Sequence, residues 1–366
     1  MKRASLLLLF AAGGAWAATN SVTATGSCPA DPAGVENAVA ASGPGDTVLL
    51  LPGPKGEAFD FSCVPTPDGL TVSVQDTPGI TIAGIPGSTS IRGPGMKSSD
   101  AVAIDIQIDD TTIRDLDFRG FTWGIGLDPP HLVGDDGPSR VTISGCTFED
   151  NDLGIGSHFP TDHLTITGNT FNVPKPNLNP FGTFANAIVI KSGNSDLLVE
   201  DNVFSGPGTT GKLRSLSQLL PNTTDTSGWF QTAGLFQIER QRPAAVRGRI
   251  SRNSFRGLDM GMQSSSDDAD ITRNTATGCG LGIVISNDTD DGVTRVTGNI
   301  VAGNSATQNA VGITVASGTA NLVAGNDFSS NKLAGLLLDT NPGGAPSSGN
   351  TVVANTGPVV AIGGSK

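Results

Sequence analysis

Four ionisable side chains, Asp128, His158, Lys191 and Glu239, each stand directly after a short strand-like pattern, GIGL, GIGS, AIVI and LFQI. Where such strands stack in successive coils, residues at equivalent places share one face and form a column. His158 and Lys191 are then one strand spacing apart, about 4.8 Å, and each neighbours a carboxylate that orients it or tunes its pKa. This set suits proton abstraction next to a carboxylate, the first step of β-elimination from a uronic-acid polysaccharide. Lys191 or His158 is the candidate base. Arg214, Arg240 or a bound cation is the candidate for neutralising the substrate carboxylate. Asp128 and Glu239, three coils apart, are roughly 14 Å from each other by strand spacing, beyond the about 5 to 9.5 Å of most glycosidase pairs. A hydrolase using just these two is disfavoured. The competing reading is a ladder of opposite charges that pair in solvent and do no chemistry.

The elements that must position these groups can be read from the same alignment. The full column runs Gln107, Asp128, His158, Lys191, Glu239, Ser265, Ser286, Ala316, Asp339. Two residues earlier a parallel column runs Asp105, Gly126, Gly156, Val189, Gln237, Gln263, Val284, Thr314, Leu337. It makes Gln237 a candidate substrate contact and leaves an open floor at the two glycines. Long insertions, 128–140, 172–183 and 205–233, fall on the same coils, whereas coils beyond Arg249 are mostly joined by short turns. Long loops on a regular scaffold usually carry function. The insertion at 205–233 holds Lys212, Arg214, Trp229 and Phe230, residue types that grip a carboxylate and stack on a sugar ring. A solvated loop with no ligand is the alternative there.

A repeat supplies the scaffold. The pattern apolar-x-apolar-x-Asn-x-Phe occurs as ITGNTF, VEDNVF, ISRNSF and VAGNDF, with weaker copies at Asn274 and Asn299, and alternates with Gly-apolar-x-apolar strands from Gly124 to Gly335. Self-similarity at a period of 20 to 30 residues marks a solenoid, and the alternation within each copy marks strands. Asn169, Asn202, Asn253, Asn274, Asn299 and Asn326 are read as a structural stack at the corners, each amide bonding to the next. The expected fold is all-β, a single-stranded right-handed parallel β-helix with an N-terminal capping helix. Its 366 residues, 49 Gly and no Tyr suit a turn-rich solenoid.

The formal charge is −12, and −14 once Lys2 and Arg3 leave with a leader, so nucleic acid is excluded as a probable partner class. Lys2 and Arg3, the apolar run from Leu6 to Phe10 and Ala15-Trp16-Ala17 read as a signal peptide, residues 1–17, cleaved near Ala18. The mature domain is 18–366, with the cap about 28–63 and coils about 75–362. Export to periplasm or medium follows, and no later apolar run approaches the roughly 20 residues of a membrane span. Residues 31–42 favour a short helix with Asp31 as N-cap and Val35, Ala38 and Val39 on one face. Cys28 and Cys63 flank this helix and the first strand and are expected to form a disulfide that pins the cap. Cys146 and Cys279, four coils apart, are expected to be buried thiols. No zinc spacing is present. No cofactor is required by this residue set; calcium is the open option, with Asp267-Asp268-Asp270 and 288–291 as turn acids able to hold it. The expected partner is a polysaccharide or cell-surface glycan, and the expected state a monomer.

The segment Gly45 to Gly53, GDTVLLLPG, following the short helix, together with the repeats, resembles the pectin-lyase-like superfamily of right-handed parallel β-helices. The resemblance covers about Asp31 to the C-terminus. It implies the fold; members include lyases, hydrolases, esterases and non-catalytic binding proteins, so it leaves the chemistry open. Locally, AIVIKSGNSDLLVEDNVF, Ala187 to Phe204, is similar to the Lys-Ser strand of alginate and chondroitin-type lyases with this fold. That resemblance implies Lys191 as catalytic base and Arg214 as the following arginine. The calcium-binding acidic pair of those enzymes is replaced here by Phe184 and Asn186. Asp128-Pro-Pro-His131 resembles, with an extra proline, the Asp-Pro-His motif of mannuronan epimerases. The expected function is therefore a polysaccharide lyase or related epimerase, the alternative a non-catalytic β-helix that binds glycan or builds the cell surface.

Overall fold

The computed structural model describes residues 17–63, 70–95, 101–128, 137–157, 159, 161–175, 185–191, 195–209, 231–238, 247–286, 296–316, 318–339 and 349–361. Three parallel sheets run the length of the molecule. Among the described residues sheet A has 12 strands, sheet B 9 and sheet C 11, and in each the neighbouring strands come from successive coils. One coil reads Thr112–Arg114 in A, Asp117–Arg119 in B and Trp123–Leu127 in C. The strands of A and B are short, three residues in most coils, because a tight corner follows each; left-handed residues such as Asp115, Gly145, Asp150 and Gly168 turn the chain there.

Inward positions stack by type. In sheet A, Ile82, Ile113, Ile143 and Ile166 form one column, all 0% exposed. In sheet B, Phe118, Phe148, Phe171, Phe204 and Phe255 stack ring on ring, with centroids 5.2, 4.7, 4.8 and 4.7 Å apart. This column is the Phe of the sequence repeat, and the offset stack is set by the strand spacing itself.

The asparagine stack is present, with one member changed. Asn169, Asn202, Asn253 and Asn274 bond in series, each backbone N–H donating to the next Oδ1 at 2.9 to 3.0 Å. After Asn274 the next member is Asn304, followed by Asn326 and Asn355. Asn299 belongs to another corner, where it leads to Asn321 and Asn350. A third short stack joins Asn309 to Asn331. The error has a physical cause: GNI at Asn299 and GNS at Asn304 satisfy the same turn chemistry, and only the strand on each side separates them. Both free cysteines head a stack, Cys146 donating its N–H to Asn169 and Cys279 to Asn309. Both are buried, and burial pushes the thiols up to about 12 and about 11.

The N-terminal end is closed by the helix Ala30–Ala40, with Val35 and Val39 buried, and by strand Thr19–Thr23 at the edge of sheet A. Cys28 and Cys63 form the expected disulfide, with Cα atoms 5.6 Å apart. Asp31 does not cap the helix; the N-cap is Pro29, and Asp31 lies in the first turn. Its buried carboxylate instead accepts the N–H groups of Thr25, Ser27 and Asp60 at 2.7, 3.2 and 2.8 Å, tying the strand before the helix to the strand after it. Ala17 apart, the expected leader lies outside the described residues. Among the described residues no helix is long and apolar enough to cross a membrane.

Candidate functional site

Sheet C is the candidate surface, because the long connections enter and leave its strands. Residues 173–184 join sheet B to Ala185–Lys191, 206–231 lead into Thr232–Ile238, and 128–141 leave Trp123–Leu127. The return ends of several connections are held by buried or half-buried carboxylates. Asp109 accepts the Ser139 N–H at 2.8 Å, and Asp162 accepts both the N–H and the hydroxyl of Ser195, at 3.0 and 2.7 Å. Asp259, only 3% exposed, accepts the Gln231 N–H at 2.9 Å. Asp267 accepts the Thr297 N–H at 2.6 Å, while burial raises its carboxyl above the usual range. Asp162 and Asp267 thus serve the backbone at turns, the job the turn chemistry predicts for them.

Register decides which candidate residues share a column. Gly126 pairs with Gly156 and Gly156 with Val189, so the backbone positions of Asp128 and Lys191, each two residues further on, share one register two coils apart, about 9.6 Å by strand spacing. Lys191 ends the strand Ala185–Lys191 and pairs with Ile238. Ile238 thus holds the place in register with Lys191 that the alignment gave to Glu239. Gln237 pairs with Ile190, a core residue, and points inward, 2% exposed. Its amide oxygen accepts the hydroxyls of Ser264 and Ser266 at 3.1 and 2.9 Å, and Ser265 bonds to its carbonyl at 3.1 Å. Phe236 takes the outward place expected of Gln237, opposite Val189 and Gln263. The cause lies in Gly234. A Cβ there would stand 2.5 Å from the Gly261 carbonyl oxygen, just as one on Gly154 would stand 2.6 Å from that of Ala187. The conserved geometry of this inner column selects GLFQ, not LFQI, as the strand core.

The two glycines do not leave an open floor. The Asp105 carboxylate lies over Gly126, 2.7 Å from where a Cβ would stand, and is 2% exposed, with the Gln107 amide donating to it. The edge of the Trp123 ring lies 2.8 Å from the corresponding point over Gly156. Asp105 and Trp123 are thus parts of this surface that the ladder of charges did not single out. Asp105 stands opposite Gly126, and Trp123, paired with Val102 and Leu153, reaches diagonally over Gly156; in each case the signal was a glycine with no side chain of its own. Asp128 is half-buried beside them. Of the other expected site residues, His158, Arg214, Trp229, Glu239 and Arg240 lie outside the described residues, as does the side chain of Lys191.

Past Phe236 the same outer face changes character. Met260, Leu281, Val311 and Ala334 form one outward column, with Val284 and Leu337 in the next, and together they make a second apolar cluster outside the solenoid core. The expectation that outward residues of these coils face solvent fails, since these side chains are at most 5% exposed. Among the described residues no group of three or more His, Cys, Asp or Glu is placed to hold a metal ion; residues 288–291 lie outside them.

Residues 221–363 match the family described as periplasmic copper-binding protein (NosD). No curated protein matches the chain. Among solved structures, a tailspike protein mutant of E. coli bacteriophage HK620 in complex with a pentasaccharide is similar at a TM-score of 0.55 and 11% identity, over 87% of this chain and 57% of that one. An alginate lyase from Paenibacillus sp. gives a TM-score of 0.47 at 15% identity, over 93% and 99% of the two chains. The mannuronan C-5 epimerase AlgE6 A-module of Azotobacter vinelandii gives 0.44 at 16%, over 91% and 94%. The tailspike likeness carries the fold and nothing finer: the chain is a right-handed parallel β-helix.

Proposed function

We propose that this is an exported carbohydrate-active β-helix protein that cleaves a uronic-acid polysaccharide by β-elimination on the outer face of sheet C. The observation that supports the reading is the backbone register that Asp128 shares with Lys191, on the sheet whose strands the long connections adjoin in sequence. In the reaction, Lys191 or His158 takes the proton from C5 of the uronate. The electron pair forms the C4–C5 double bond, and the glycosidic oxygen leaves C4 with a proton supplied by the other group or by water. Arg214 or Arg240 neutralises the substrate carboxylate, which lowers the cost of the developing charge. Asp128 orients the cationic group and Trp229 offers a ring for a sugar face. Gln237, turned inward, has no part in this step; Glu239 would assist the base from the following coil.

A non-catalytic glycan-binding protein is the second reading. It is favoured by the change in the aligned column after Glu239, where the residues turn small and neutral at Ser265, Ser286 and Ala316. Chromatography separates the two. Alginate, pectate and glycosaminoglycans are incubated with the protein, with and without calcium. Shortened chains bearing unsaturated ends support the lyase. Unchanged polymer that co-elutes with the protein supports the binding protein.

A further inference from the structure

We propose that the protein pairs with a second copy of itself, end to end, through the coil 350–361, in place of the expected monomer. The two ends of the solenoid differ. At the first, the helix Ala30–Ala40 lies across the core, with Val35 and Val39 buried. At the opposite end the core is open. Val359 continues the inward column of Ile283, Ile313 and Leu336, each 0% exposed, yet is itself 50% exposed. In sheet A, Val352 continues the column of Val301 and Val323 and is only half-buried. Its neighbour Val353, on the outer face, is 46% exposed.

This coil is also an edge. Among the described residues sheet A ends on Thr351–Val353 and sheet C on Val359–Ala361, so each strand turns one side of its backbone toward no further strand. Natural sheets guard such edges with charge or proline, and solenoids close with a terminal repeat whose outer face is polar. The coil 350–361 has no ionisable side chain, and Pro358 is its one guard. Apolar side chains beside bare strand edges fit a partner that offers strands and apolar side chains in return.

Charge identifies that partner. The whole chain carries −12, but from Ile300 to Ala361 its ionisable side chains are Asp327, Lys332 and Asp339, a net charge of −1. On the outer face of sheet A, Arg249 and Asp270 are followed in register by Ile300, Leu322 and Thr351. Two copies of so acidic a chain repel least when they meet by this end. Facing each other about a two-fold axis, they make an isologous contact that closes at two. The edge strands then run antiparallel, and each open core covers the other. The reverse arrangement, this end against the first end of another copy, would set Val352 and Val359 on the helix that carries the exposed Glu36, and it would propagate without closing. The pairing does not depend on the lyase reading.

The test is sedimentation equilibrium of the full chain as wild type, Val353→Lys, Val359→Lys and Glu36→Lys. Concentrations run from about 1 to 100 μM, spanning the micromolar Kd of the weakest interfaces of standard size. Wild type and Glu36→Lys are expected to reach twice the mass of one chain and no more. Val353→Lys and Val359→Lys are expected to remain at the mass of one chain, since a lysine on an edge strand opposes pairing. Val353→Lys changes only the outer face, so its Tm is expected to match that of dilute wild type, which separates lost pairing from an unfolded coil. A monomer at every wild-type concentration, assembly beyond the dimer, loss of the dimer in Glu36→Lys, or a dimer that persists in either valine variant overturns the proposal.

Discussion

Lys191 pairs in register with Ile238, so Gln237, opposite the core residue Ile190, turns into the interior. One residue of register exchanges the two faces of a strand. Here that exchange brings a polar side chain into the interior.

Gln237 should accordingly be a stability residue. Replacing it with Met removes the acceptor for the hydroxyls of Ser264 and Ser266, both at most 0% exposed. Leaving two buried donors without a partner is expected to cost about 2 to 4 kcal/mol. Urea denaturation measures this, and the folded fraction is expected to retain wild-type activity on polysaccharide.

The two free thiols should be silent in the native protein. Cys146 and Cys279 are buried, and their thiols are pushed up to about 12 and about 11, so little thiolate forms at neutral pH. A thiol-specific reagent is expected to label neither cysteine in buffer and both after denaturation. Rapid labelling of the native protein would show that the corners they occupy open.

Glu200 should contribute to acid sensitivity. Burial pushes its carboxyl up, but the Ser251 hydroxyl and the guanidinium groups of Arg249 and Arg252 outweigh that and hold it below the usual range. A carboxyl lowered in the folded state stabilises the protein above its unfolded value, about 4.3. That stabilisation is lost as pH falls through the folded value. Glu200→Gln is expected to lower stability at neutral pH and to flatten its fall below about pH 4. Denaturation curves at several pH values give the comparison.

Much of the fold could be read from residues that repeat. Phe148, Phe171, Phe204 and Phe255 announce sheet B because one aromatic per coil must stack at the strand spacing. Asn169 to Asn274 announce a corner because each amide completes the next turn. Two places were not legible. LFQI and GLFQ both alternate, and the choice depends on Gly234 meeting a carbonyl of the following coil, a contact that exists only after stacking. The apolar outer face at Met260, Leu281 and Val311 was also hidden. Met260, Leu281 and Val311 each stand just before the Gly of GMQS, GIVI and GITV, so the repeat as aligned leaves them out and does not say that they are covered. The candidate site was legible as a column of residue types, and its register from Asp128 to Lys191 is that of the sheet. Its chemistry resides in side chains whose setting pattern alone does not provide.

The central claim is that a base at Lys191 or His158 removes the C5 proton of a uronate, and the most direct measurement is the growth of ultraviolet absorbance from the unsaturated product. Wild type, Lys191→Ala and His158→Ala are followed on alginate, pectate and glycosaminoglycans. The account predicts a steady rise with wild type on at least one polymer, reduced by about 100-fold or more when the base is removed. A rise that survives in both variants, or no rise with wild type on any polymer, would contradict it.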